Sequence, residues 1–222
     1  MRLQDAWRNT WIDLALPAPG PEVLQALLER YGESHRAYHT AQHLAECFQH
    51  FDGARPLAAH AGEVALALWF HDAIYDPHSA RNEADSADWA DRVLVSAGAG
   101  AAMRDRVRGL IMATRHAADP VAPDAQLTVD IDLSILGAAP ARFAEYETQV
   151  RREYAFVPEA EFRQRRARIL RQFLDRPAIF ATQPFPAMIL GYGPAVRPDS
   201  RTHRPLGALR PHRVGSCRMS KF

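Results

Sequence analysis

A histidine followed at once by an aspartate, His71-Asp72, closes the apolar run from Glu63 to Phe70, so one short piece of backbone offers both an imidazole nitrogen and a carboxylate. Two further donors of the same kinds stand elsewhere: His43 upstream, in Tyr38-His39-Thr40-Ala41-Gln42-His43, and Asp130 or Asp132 downstream, in Asp130-Ile131-Asp132-Leu133. A mixed nitrogen and oxygen set without a thiolate suits divalent Mn, Fe, Co, Ni or Mg, or a catalytic Zn. Burying the doublet's charge at the end of an apolar helix is expensive unless a metal or a partner compensates it. The residues point to a hydrolytic metal site. His50, His60 and His78 have no such company and read as ordinary hydrogen-bonded histidines.

Donors so far apart in sequence must come from different elements. Apolar residues recur at helical spacing along nearly the whole chain, and no period-2 run is bounded by turn signals, so the expected fold class is all-α, a helical bundle with the metal site in its core. Helices are predicted at about Leu3 to Leu14 and, opened by Pro21, to about Tyr31. A third, carrying His39 and His43 one turn apart on one face, reaches about Phe51. A fourth, Leu57 to Tyr75, is apolar nearly all round and therefore central, with His71-Asp72 near its end. Further helices are expected to about Ala97, capped by Ser79 or Asn82, from Ala101 to Ala117, from Ala125 to Leu136, from Pro140 to about Tyr154, and from Phe162 to Leu174.

The 222 residues fit one domain with a tail. The net charge of +1 conceals an asymmetry: residues 191 to 222 hold seven basic side chains against Asp199 alone, which leaves about −5 for the rest. An acidic folded part offers no electrostatic footprint for nucleic acid. Cys47 and Cys217 lie too far apart for a disulfide framework, and the N-terminus lacks the apolar run of a signal peptide, so a cytoplasmic protein with no membrane span is expected. From Pro184 onward, six prolines, scattered arginines and Gly191, Gly193, Gly207 and Gly215 leave no period, and this segment reads as a disordered tail after a domain of residues 1 to 183.

The order His43, His71-Asp72 and then an aspartate about 60 residues on resembles the HD superfamily of metal-dependent phosphohydrolases, all-α proteins named for that doublet. The likeness covers roughly residues 30 to 182 and is closest to the bacterial group of predicted HD phosphohydrolases. It rests on Tyr38-His39 with His43, His71-Asp72-Ala73-Ile74-Tyr75, Asn82-Glu83 with Ser86-Ala87, Thr114 with His116, Asp130 to Gly137, and Val150-Arg151-Arg152-Glu153-Tyr154. The resemblance implies His43, His71, Asp72 and the downstream aspartate as metal ligands. It favours Asp132 over Asp130, because Asp132-Leu133-Ser134 is similar to the ligand-bearing segment of cyclic nucleotide phosphodiesterases. It also implies His39 as general acid. Glu83, one loop after the doublet, would orient or deprotonate water, and His116, at a helix end with Arg115, could meet a phosphate or protonate the leaving group.

The implied activity is metal-dependent hydrolysis of a phosphomonoester, nucleotide or similar phosphate ester, with one tight divalent ion. Two other classes fit the same residues: a noncatalytic nucleotide-binding module, and a di-iron oxygenase drawing extra ligands from Glu83 and His116. Neither the substrate, the metal nor the oligomeric state is named by the sequence.

Overall fold

The computed structural model describes residues 2–176 and 178–182, and the expectations for the tail from Pro184, Cys217 included, lie outside them. The described residues form nine α-helices and two short 3-10 helices, with no strand among them. In order these are α1 (Leu3–Leu14), α2 (Pro21–Tyr31), α3 (Ala41–Ala54), α4 (Ala61–Phe70), α5 (Asn82–Ser96), α6 (Ala101–Ala113), α7 (Pro123–Asp132), α8 (Pro140–Glu153) and α9 (Glu159–Leu174). The 3-10 helices are Arg55–Leu57 and Leu133–Gly137.

The helix without a polar face lies in the middle. Every residue of α4 from Gly62 to Phe70 is buried, and α1, α3, α5, α6 and α7 all pack on it. Its closest neighbour is α1: a methyl on Gly62 would fall 2.6 Å from the backbone nitrogen of Leu14, so only glycine allows this approach. Trp7 meets Trp11 and Trp69 edge-on, at ring-centre separations of 5.4 and 5.1 Å, and the Trp69 indole donates to Thr10 Oγ1 at 3.1 Å. The one acid in α4's first turn, Glu63, is buried and held by Arg106 through two bonds of 2.6 and 2.7 Å. A second apolar cluster, with Tyr38, Tyr146, Val150 and Phe162, joins α8 and α9 to the segment before α3.

Several boundaries differ from expectation, and around His39 and His71-Asp72 side-chain bonds hold the backbone outside the helix. The third helix begins at Ala41, after Thr40 caps it by accepting from the Gln42 N–H, so His39 lies outside the helix that carries His43. The expected Leu57-to-Tyr75 helix is a 3-10 turn followed by α4, which stops at Phe70 and leaves His71-Asp72 in the turn beyond. There Arg36 takes the carbonyls of Asp72 and Ala73, at 2.7 and 3.2 Å, and Ser86 Oγ accepts from Ile74 N–H at 3.0 Å. Neither Ser79 nor Asn82 caps α5; Asn82 instead brackets the backbone of Asp76. The sixth helix ends at Ala113 rather than Ala117, α7 runs Pro123–Asp132 before a 3-10 turn, and α9 starts three residues before Phe162.

Candidate metal centre

His43 projects from the first turn of α3, His71 and Asp72 from the turn after α4, and Asp132 from the last residue of α7, and all four are buried. One nitrogen or oxygen of each lies within 4.8 Å of the others, an arrangement that could hold a metal ion. His43 Nε2 and His71 Nε2 are 3.2 Å apart, Asp72 Oδ2 is 3.0 Å from His71 Nε2 and 3.7 Å from His43 Nε2, and Asp132 Oδ1 is 3.4 Å from both nitrogens. Ligands about 2.1 Å from one ion are about 3.0 Å apart at right angles and about 3.4 Å apart at the tetrahedral angle. The donors therefore surround a space of ionic size.

The chemistry of the donor set agrees. His71 Nδ1–H donates to the Leu68 carbonyl at 2.8 Å, which fixes the tautomer and turns the Nε2 lone pair toward the other donors. Burial by itself would depress the His71 imidazole, yet the adjacent carboxylates of Asp72 and Asp132 push it up to about 10, so the site favours a positive charge. Between the two downstream aspartates the geometry is unambiguous. Asp130 turns away and accepts from the backbone N–H of Ala181 and Thr182, at 3.0 and 2.6 Å, and from the Thr182 hydroxyl.

A cleft of about 80 Å³ lies beside the cluster and shares Asp132 with it. His39, Arg115 and His116 line it, as do Tyr38 and Arg166. Asp132 spans the boundary: Oδ1 faces the cluster while Oδ2 accepts from His116 Nε2–H at 3.0 Å. His116 stands in a left-handed backbone conformation, φ +55, uncommon for a non-glycine residue and found where a side chain must be aimed. Its buried Nδ1 and the buried hydroxyl of Tyr38 have no hydrogen-bond partner among the described residues. Arg115 is half-buried there, with no ion pair or hydrogen bond to its guanidinium among the described residues.

Three residues that the sequence analysis left without a role shape this site. Glu153, at the end of α8, is buried; its Oε1 accepts from the backbone N–H of Ala37, Tyr38 and His39 at 2.7, 2.7 and 3.0 Å, and its Oε2 accepts from His39 Nδ1–H at 2.7 Å and Tyr75 O–H at 2.8 Å. Burial works against this carboxylate's charge, but His39 and the backbone donors overcome it and hold Glu153 down at about 2. Arg36, stacked between the rings of Tyr31 and Tyr75, donates to the carbonyls of His39 and Asp72 and so ties the two loops together. Cys47, one turn after His43, brings its sulfur 3.7 and 3.8 Å from the two ring nitrogens of His43. His43, Cys47 and His71 form a second group within metal-holding distance, so the donor set is not thiol-free as the sequence analysis took it to be. The i, i+4 spacing of His43 and Cys47 was the signal available.

Glu83 lies on the first turn of α5, buried, outside both the four-donor group and the cleft lining, and its carboxylate has no hydrogen bond or ion pair among the described residues. His60 pairs with Asp124, and His78 packs on the Phe156 ring. A larger cleft, about 640 Å³, opens between α6 and the start of α7, and each of its acids is already paired, Glu63 with Arg106, Asp124 with His60 and Asp119 with Arg176. Among the described residues no helix is long and apolar enough to cross a membrane. Compared with protein-family models, curated proteins and solved structures, the chain matches none.

Proposed function

We propose that the protein is a divalent-metal-dependent hydrolase of phosphate esters, with His43, His71, Asp72 and Asp132 as metal ligands and His39 as general acid. The observation that carries the reading is the junction at Asp132, where a four-donor cluster of ionic dimensions meets a cleft edged by His39, His116 and an Arg115 whose guanidinium has no partner among the described residues. When bound, a divalent ion supplies Lewis acidity and acidifies water toward neutrality.

The chain's own groups do the rest. Glu153 accepts the Nδ1–H of His39 and so fixes the ring, aiming Nε2 as the atom that delivers a proton to a leaving alkoxide. Arg115 and His116 face the negative charge of a phosphoryl group. Because the Asp132 carboxylate can only accept, His116 donates to it through Nε2–H. Glu83 is carried into this reading as the general base by the family resemblance alone, and the Glu83→Gln variant decides whether it acts at the site.

The test is turnover by the metal-loaded protein on a panel of phosphate esters, compared with three variants. Asp72→Ala loses metal and activity together. Glu83→Gln keeps metal while turnover falls by about 10² to 10⁴. His39→Ala keeps metal and slows alkyl esters more than p-nitrophenyl esters, whose phenolate needs little protonation; equal losses would remove His39 from the acid role. A metal-loaded protein inactive on the whole panel yet tightly binding a nucleotide would favour a noncatalytic module.

A further inference from the structure

The polar and apolar parts of the cleft are segregated. Of its hydrogen-bonding groups, Tyr38 and His39 lie just before the ligand His43, and His116, preceded by Arg115, bonds the ligand Asp132, whereas the walls contributed by the 3-10 turn, α8 and α9 are mostly apolar, Leu133, Ile135, Leu136, Val150, Ile169 and Phe173, with Tyr146 among them. Arg166, the remaining charge, is occupied by Glu147 through its Nε and Nη2. A nucleoside leaves unsatisfied base edges and sugar hydroxyls against such walls, at roughly 1–3 kcal/mol for each buried group. Size argues the same way. The cleft holds about 80 Å³, room for several water-sized groups, while sites that bury drug-sized ligands run to roughly 300–1,000 Å³.

We infer that the site takes a phosphomonoester whose organic group is small and apolar, in preference to a nucleotide. The inference rests on the hydrolase reading for turnover but not for binding. The anionic head meets the Arg115 guanidinium, and the organic group lies against Leu136, Ile169 and Phe173.

The experiment uses the full chain loaded with Mn(II), with phenyl phosphate, methyl phosphate and adenosine monophosphate as probes, and measures both kcat/KM and calorimetric Kd. Burying about 100 Å² of phenyl ring corresponds to a gain of roughly 50-fold over methyl phosphate. A comparable or larger preference for phenyl phosphate over adenosine monophosphate is expected. Equal or better turnover or binding of adenosine monophosphate overturns the inference and leaves the hydrolase reading standing. No turnover of any ester, together with tenfold tighter binding of phenyl phosphate than of adenosine monophosphate, supports the inference and overturns the hydrolase reading. Ile169→Thr, a half-buried position where the β-branch is kept, the terminal methyl is lost and a hydroxyl enters the wall, should cut the phenyl-to-methyl ratio about tenfold with metal content unchanged; an unchanged ratio in a folded variant overturns the assignment of the walls.

Discussion

Replacing Glu153 with glutamine isolates the charge that holds His39. The side chain keeps its size, and its remaining oxygen can still accept from the backbone N–H of Ala37, Tyr38 and His39, but an amide NH₂ then faces the His39 Nδ1–H and the Tyr75 hydroxyl, donor against donor. The folded protein holds Glu153 at about 2 against an ordinary value of 4.5, and linkage converts that gap to about 3 kcal/mol of stability at neutral pH. Because the folded value is the depressed one, this stability is present in full above pH 4.5 and is lost as pH falls toward 2. Urea denaturation of Glu153→Gln and the parent chain, with chelator throughout so that metal loss plays no part, should show a deficit of about 3 kcal/mol at pH 7 that closes between pH 4.5 and 2. In the metal-loaded protein the same variant should retain its ion while turnover falls by about 10² to 10⁴. A deficit below about 1 kcal/mol at pH 7, or one that does not change with pH, would refute the argument that the donors around Glu153 stabilise its buried carboxylate.

Elemental analysis of Asp132→Ala and Asp130→Ala separates the two aspartates: the first should lose most of its bound ion, while the second keeps it and gains a protease-sensitive site near residues 179–182, where Asp130 now accepts from Ala181 and Thr182. The opposite pattern would reverse the assignment. Arg36→Met strands the carbonyls of His39, Asp72 and Ala73 and should cost about 3 kcal/mol or more in denaturant, with weakened metal retention; a fully stable variant would mean the two loops hold themselves. Gly62→Ala should destabilise by about 1–3 kcal/mol, since its methyl meets α1 backbone rather than a flexible side chain, and a neutral result would show that α1 shifts freely on α4. Cys47 lies nearly equidistant from the two His43 nitrogens, beside the ring rather than along its Nε2 lone pair, so the Co(II)-loaded protein should show no thiolate-to-cobalt absorption band; a band abolished by Cys47→Ser would make the sulfur a ligand.

Helical periodicity alone determined the all-α class, the limits of α1 and α2, and the centrality of α4, because a helix that is apolar all round has nowhere to go but the interior. It also marked His43 and His71-Asp72 as candidates, since donor types and a doublet after an apolar run are local facts. Which side chains meet was decided only in three dimensions. Asp130 and Asp132 are two residues apart on one short helix, and what distinguishes them is that residues 181–182 occupy one while His43 and His71 stand before the other. Glu153 and Arg36 are ordinary charged residues in sequence; their roles come from bonds across separations of 114 and 36 residues, which no local period encodes. His39 reads as the helical neighbour of His43 by spacing, yet Thr40 ends the helix before it, and a carboxylate from α8 holds the ring instead. The sequence supplied the donors, and long-range hydrogen bonds decided where each one points.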